Sequence, residues 1–199
     1  MALHAQALAG GFADPVFQSQ TVFKTLMDGM ARPGTIYDAA LQAGQPEPLG
    51  NAAGAIALTL CDHDTPVWLS AGLAKSAMPE WIGFHTGAPI TCEKAQSSFA
   101  FIEAGTAPSS FGLFAAGTQE YPDRSTTLII EVAALGGGEE LSLTGPGILG
   151  TRTVAVAGLP DMFGRLWDDN RALFPRGVDV ILTAGAQFLC LPRTTRIAG

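Results

Sequence analysis

Apolar residues fall first into a helical rhythm. After Asp14 and Pro15, a pairing suited to an N-cap and a first helical residue, Val16, Phe17, Phe23, Leu26, Met27 and Met30 lie largely on one helical face. The spacing predicts a helix that stops near Arg32, because Pro33 disfavours helical geometry in the residue before it and Gly34 opens a turn. Arg32 then sits at the C-terminal end, where a cation complements the helix dipole. Small and apolar residues over 52–60 predict a buried second helix, begun near Asn51 and closed by the polar turn Asp62-His63-Asp64. A short strand over 67–69 follows Pro66, residues 79–87 suit a short helix around Trp81, and 99–102 reads as a strand.

The second half changes period. Residues 126–132 form a nearly continuous, β-rich apolar run, the pattern of a central strand covered on both faces. After Gly136-Gly137-Gly138, Leu141 and Leu143 alternate with Ser142 and Thr144, and 153–157 alternates likewise, so two strands are expected as antiparallel neighbours. Asp161 is placed to cap a helix carrying Phe163, Leu166, Trp167, Asn170 and Phe174, ended by Pro175. Strands over 178–183 and 187–191, joined through Ala184-Gly185-Ala186, make a C-terminal hairpin. Helices interleaved with parallel-type and hairpin-type strands imply an α/β sandwich with a mixed sheet. Nothing divides the 199 residues, so one domain over 1–199 is expected, with 1–13 as a flexible N-terminal segment.

Composition narrows the function classes. The net charge is −7 and the few Lys and Arg residues are scattered, so no basic patch serves nucleic-acid binding. Only 15% of residues are charged while 47% are apolar, which suits a large core or a surface partly covered by partners. Cys61, Cys92 and Cys190 are odd in number and widely spaced, the usage of a reducing compartment, and the cytoplasm is the expected location. No run reaches the ~18 apolar residues of a membrane span.

Candidate chemistry is sparse. Thr144-Gly145-Pro146-Gly147-Ile148 is a strong turn signal; a Gly-rich turn can also present N–H groups of Gly145 and Gly147 to phosphate, but no Walker pattern follows. His63 between Asp62 and Asp64 lacks a second half of a metal site. His85 beside Thr86 pairs an imidazole with a hydroxyl, suited to acid-base work or to a structural hydrogen bond. Asp179 and Arg193, followed by Thr194, are expected at the same open end of the C-terminal hairpin. They form an internal ion pair, or Arg193 offers its planar fork to a phosphate or partner carboxylate. Lys24, Lys75 and Lys94 lack a Schiff-base context, and no nucleophile is nominated.

Several segments taken together resemble one family. They are Leu58-Thr59-Leu60 with Asp64 to Ser70, Phe84-His85-Thr86, Leu141 to Gly145, Phe174-Pro175 with Gly177 and Asp179, and Pro192-Arg193-Thr194-Thr195. In this order they are similar to the PhnH family of the bacterial carbon-phosphorus lyase system, over nearly the whole chain. The resemblance implies a three-layer α/β/α sandwich with a mixed sheet, related to the large domain of pyridoxal-phosphate-dependent transferases but without that cofactor or any other. It implies a homodimer that joins PhnG, PhnI and PhnJ in a core complex and works with PhnL in transferring the ribose triphosphate of ATP to a phosphonate such as methylphosphonate, with adenine release. No catalytic residues come with the family. The leading expectation is a partner-dependent subunit; the rivals are a stand-alone enzyme in which His85, Asp179 and Arg193 share a cleft, and a binding module for a small phosphorylated or nucleotide ligand.

Overall fold

The structure, a computed structural model, describes residues 7–39 and 42–198. Its centre is a mixed sheet. Strands β2 (Val67–Leu69), β3 (Phe99–Ile102), β4 (Thr127–Glu131) and β7 (Asp179–Ala184) run parallel, with Val67, Phe99, Thr127 and Asp179 in register at their amino ends. Strand β8 (Gln187–Leu191) returns antiparallel to β7 through the Gly185 turn, and the two-residue β1 (Tyr37–Asp38) pairs antiparallel with β8. The order is β1-β8-β7-β4-β3-β2, so the hairpin lies inside the sheet, with β1 beyond it at the edge.

The run over 126–132 behaves as its composition requires. Within β4, Ile129 faces one cluster with Phe101, Ile181, Phe188 and Cys190, while Leu128 and Ile130 face another with Val180, Leu182 and Leu189. The strand is therefore apolar at consecutive positions because both faces are covered. The first face carries helices α1 (Pro15–Ala31), α2 (Asn51–Leu60), the one-turn α3 (Ala71–Ala74) and α4 (Met78–Thr86). Helix α2 is the most deeply buried of these, with Ala52 to Ala57 all buried, which the small side chains permit.

The second face differs from an all-helical layer. It carries helix α5 (Phe163–Arg171) together with a separate three-stranded sheet of β5 (Ala134–Thr144), β6 (Arg152–Ala157) and β9 (Arg196–Ala198), in the order β6-β5-β9. The expected antiparallel pair is thus present as β5 and β6, but in its own sheet. Strand β5 starts before the three glycines and passes them with a register shift between Ala134 and Glu139. Leu141, Leu143, Val154 and Val156 form the buried side of this small sheet.

Two helices depart from expectation. Helix α1 has Asp14 as its N-cap, accepting from Phe17 N, and Arg32 as its C-cap, but the buried residues are Val22, Leu26 and Gly29. Val16, Phe23 and Met27 are 65%, 50% and 59% exposed, and Phe17 is exposed too. The apolar arc is wider than the strip that touches the core: the two stripes lie roughly 100° apart around the helix, about one residue step. Helix α5 begins at Phe163 without a side-chain cap, because the backbone closes a turn first, Phe163 N donating to Pro160 O at 2.8 Å, and Asp161 stays exposed. It ends at Arg171, before Phe174, in successive tight turns fixed by Asn170, whose side chain bridges Val178 N and O at 2.8 and 2.9 Å.

Of the N-terminal segment expected over 1–13, residues 1–6 lie outside the described residues. The remainder is tied down: Ala7 is buried, Gly11 N donates to Ala43 O at 2.8 Å and Trp81 Nε1 donates to Ala9 O at 3.1 Å. Among the described residues no helix is long and apolar enough to cross a membrane.

Candidate functional site

Open parallel sheets bind anionic ligands beyond the carboxyl ends of their strands, where helix N-termini offer free N–H groups. Here internal carboxylates take that place. Glu131, the last residue of β4, accepts Gly50 N at 2.9 Å at the start of α2. Glu103, one residue beyond β3, accepts Gly72 N at 3.1 Å and Leu73 N at 2.7 Å at the start of α3. Burial pushes the Glu131 carboxyl above its usual range, the Gly50 N–H opposes that shift and the charge of Glu47 adds to it.

At the opposite, amino-terminal edge, Asp179 and Arg193 meet as the hairpin geometry predicts. Asp179 Oδ1 accepts Arg193 N at 2.7 Å and Nε at 3.1 Å, and Oδ2 accepts Nη2. Arg193 also donates to Pro122 O and Ser125 Oγ, each at 2.6 Å. Its fork is spent on the protein itself, and the pair is mostly shielded from solvent, with side chains 13% and 20% exposed.

Gly145 and Gly147 are built as a turn. Ile148 N donates to Gly145 O at 3.1 Å and Gly147 has φ +80°, the geometry of Pro followed by a left-handed residue. A Cβ at Gly147 would lie 2.1 Å from Ala31 O, so the turn also packs on the end of α1. His85 and Thr86 lie elsewhere, on the last turn of α4. His85 Nε2 donates to Ala9 O at 3.2 Å and its ring stands 5.0 Å from that of Trp81 and 4.9 Å from that of Phe84. The Thr86 hydroxyl donates to Ile82 O and accepts Ala88 N. None of these contacts reaches Asp179 or Arg193, so the three-residue cleft of the stand-alone reading is not assembled.

Gly145, Arg193 and Thr194 do converge. They line one cleft of about 330 Å³ together with Thr144 at the end of β5 and Pro146 beyond it, Arg171 at the end of α5 and Phe174 in the turns that follow, and Arg196 of β9. Three of the eight arginines of an acidic chain line it, and no carboxylate does. His63 pairs with Asp64, both exposed, and no group of three potential metal ligands occurs among the described residues.

Residues 10–198 match the family described as bacterial phosphonate metabolism protein (PhnH). The chain belongs to the PhnH family. It is 57% identical over 197 residues to the alpha-D-ribose 1-methylphosphonate 5-triphosphate synthase subunit PhnH of Rhizobium meliloti (strain 1021), covering 99% of this chain and 98% of that one. It is 38% identical over 81 residues to the putative C-P lyase subunit protein HtxG of Stutzerimonas stutzeri, covering 41% of this chain and 42% of that one.

The motif residues that mark this PhnH chain largely hold the fold. Trp68 packs edge-on against Phe114 at 5.5 Å, Ser70 Oγ accepts Glu103 N, and Pro192 to Thr195 close a turn in which Thr195 N donates to Pro192 O at 2.8 Å. Sequence reasoning missed Glu131, Glu103, Arg171 and Arg196. No local spacing marks them, since each acquires its setting from an element distant in the chain.

Proposed function

We propose that this PhnH chain is a cytoplasmic, single-domain subunit of the carbon-phosphorus lyase core complex, homodimeric when isolated and joined there by PhnG, PhnI and PhnJ. In that setting it supports, with PhnL, transfer of the ribose triphosphate of ATP to an alkylphosphonate such as methylphosphonate, releasing adenine. It contributes surface to the assembly and does not complete a catalytic centre by itself. The reading includes a three-layer fold akin to the large domain of pyridoxal-phosphate-dependent transferases that uses no cofactor. The exposed lysines Lys24 and Lys75, and Lys94 lying 4.8 Å over the Trp68 ring, are in keeping with that.

The observation that carries it is the stripe of Val16, Phe23 and Met27 on α1, apolar and each at least half exposed. Large apolar side chains grouped on one helix face suit a surface that another chain covers. The donors of Arg193 and the acceptor oxygens of Glu131 and Glu103 support the same reading from the other side, because these ionisable groups are engaged in holding the fold.

The test is co-expression with PhnG, PhnI and PhnJ of the same source, using the native chain and a Val16→Ser, Phe23→Ser, Met27→Gln variant. The native chain should enter a stable complex that releases adenine from ATP and methylphosphonate once PhnL is added. The variant should keep its unfolding midpoint and fail to enter. An unchanged complex and unchanged adenine release when the chain is omitted would sink the proposal.

A further inference from the structure

We infer that the cleft between the end of α5 and the small sheet is a binding site for an oligophosphate. The inference rests on the phosphonate reading above for the ligand's identity, because the similar Rhizobium subunit is named for a synthase whose product carries a 5-triphosphate.

The lining is unlike the rest of the surface. Arg171 and Arg196 project from two elements that meet only in the folded chain, and neither guanidinium has a hydrogen bond or ion pair among the described residues. The hydroxyls of Thr144 and Thr194 are likewise without an internal partner. Two free guanidiniums and two free hydroxyls therefore face a space of about 330 Å³, the lower end of the range for small-molecule sites. A forked guanidinium matches phosphate oxygens in pairs, which makes arginine the side chain suited to such anions.

The surroundings hold this geometry. Arg193 also lines the cleft but is locked by Asp179, so its net contribution is neutral and it positions Thr194 beside it. The Gly145-Pro146 turn abuts it, since a Cβ on Gly145 would stand 3.0 Å from Thr194 O. Phe174, 59% exposed, closes one side with a ring available to the apolar part of a larger ligand. Arg171 lies in the last turn of α5 and so offsets the negative end of that helix, which leaves Arg196 to give the cleft its net positive field. The two helix N-termini of the carboxyl edge are filled by Glu131 and Glu103, so an anion finds no competing site there.

The experiment is calorimetric titration of inorganic tripolyphosphate into the purified chain alone, into Arg171→Gln, Arg196→Gln and the double variant, and into Arg165→Gln as a control for net charge. Arg165 is exposed on α5 and does not line the cleft. Each single variant should weaken binding about tenfold, the double variant more, and Arg165→Gln by less than about twofold, with unfolding midpoints unchanged throughout. No binding to the native chain overturns the site, and so does equal weakening by Arg165→Gln. Co-purification with PhnG, PhnI and PhnJ separates the two readings. A native chain that enters the complex but binds no tripolyphosphate removes this inference alone, and one that binds but stays apart removes the subunit reading alone.

Discussion

The carboxylate of Glu131 accepts the N–H of Gly50 at 2.9 Å, joining the end of β4 to the start of α2 across 81 positions of sequence. A Cβ on Gly50 would lie 1.9 Å from Glu131 Oε1, so the glycine is what lets the carboxylate approach. The contact replaces a side-chain cap, which Gly50 cannot supply.

A pH dependence follows from it. The folded-state pKa of Glu131 is raised, chiefly by burial, so folding favours its protonated form. The stability this group contributes is full below its unfolded value, about 4.3, and is lost as pH rises through the higher folded value. Glu131→Gln should match the native chain in stability near pH 4 and exceed it at pH 7. Urea unfolding at the two pH values checks this, and an unchanged difference between them would refute it. Gly50→Ala should cost about 1 kcal/mol at either pH by displacing the cap.

Removing Arg193 should be expensive for stability. Arg193→Ala leaves Asp179 without its partner beside Cys190, whose thiol burial has already pushed up with help from the Asp179 charge. The expected loss is about 3 kcal/mol, at the low end for buried pairs because a fifth of the Asp179 side chain is exposed. Arg193→Lys keeps the charge without the fork and should recover roughly half of that. Denaturant midpoints measure both, and a loss under about 0.5 kcal/mol for Arg193→Ala would show that the network is not what holds this edge.

Two glycines should respond in opposite directions. Gly147→Ala meets both a positive φ and the Ala31 carbonyl, and should destabilise by about 2 kcal/mol. Gly164 is helical and has nothing within 4 Å of a Cβ, so Gly164→Ala should stabilise by about 0.5 kcal/mol. Thermal unfolding distinguishes them; equal effects would contradict the turn geometry.

Taken alone, the sequence determined what depends on neighbours in the chain. Asp14-Pro15 starts α1 and Arg32 ends it, the small residues over 52–60 make α2, the apolar run makes β4 a central strand, and Pro146-Gly147 sets its turn. The Asp179–Arg193 pair was legible as well, since a hairpin brings its two ends together by construction. Tertiary structure alone decided which of several apolar faces found a partner. Helix α1 carries an apolar arc wider than the core can cover, and only packing against α2 and β8 selects Val22, Leu26 and Gly29 over Val16, Phe23 and Met27. Alternation in β5 and β6 marks them as half-buried strands, but the same alternation fits one sheet or two, so their separation depended on β9 and on cover for the second face. The cleft is of the same kind: Arg171 and Arg196 are 25 positions apart, with no periodicity between them, and only the docking of α5 beside β9 makes them neighbours.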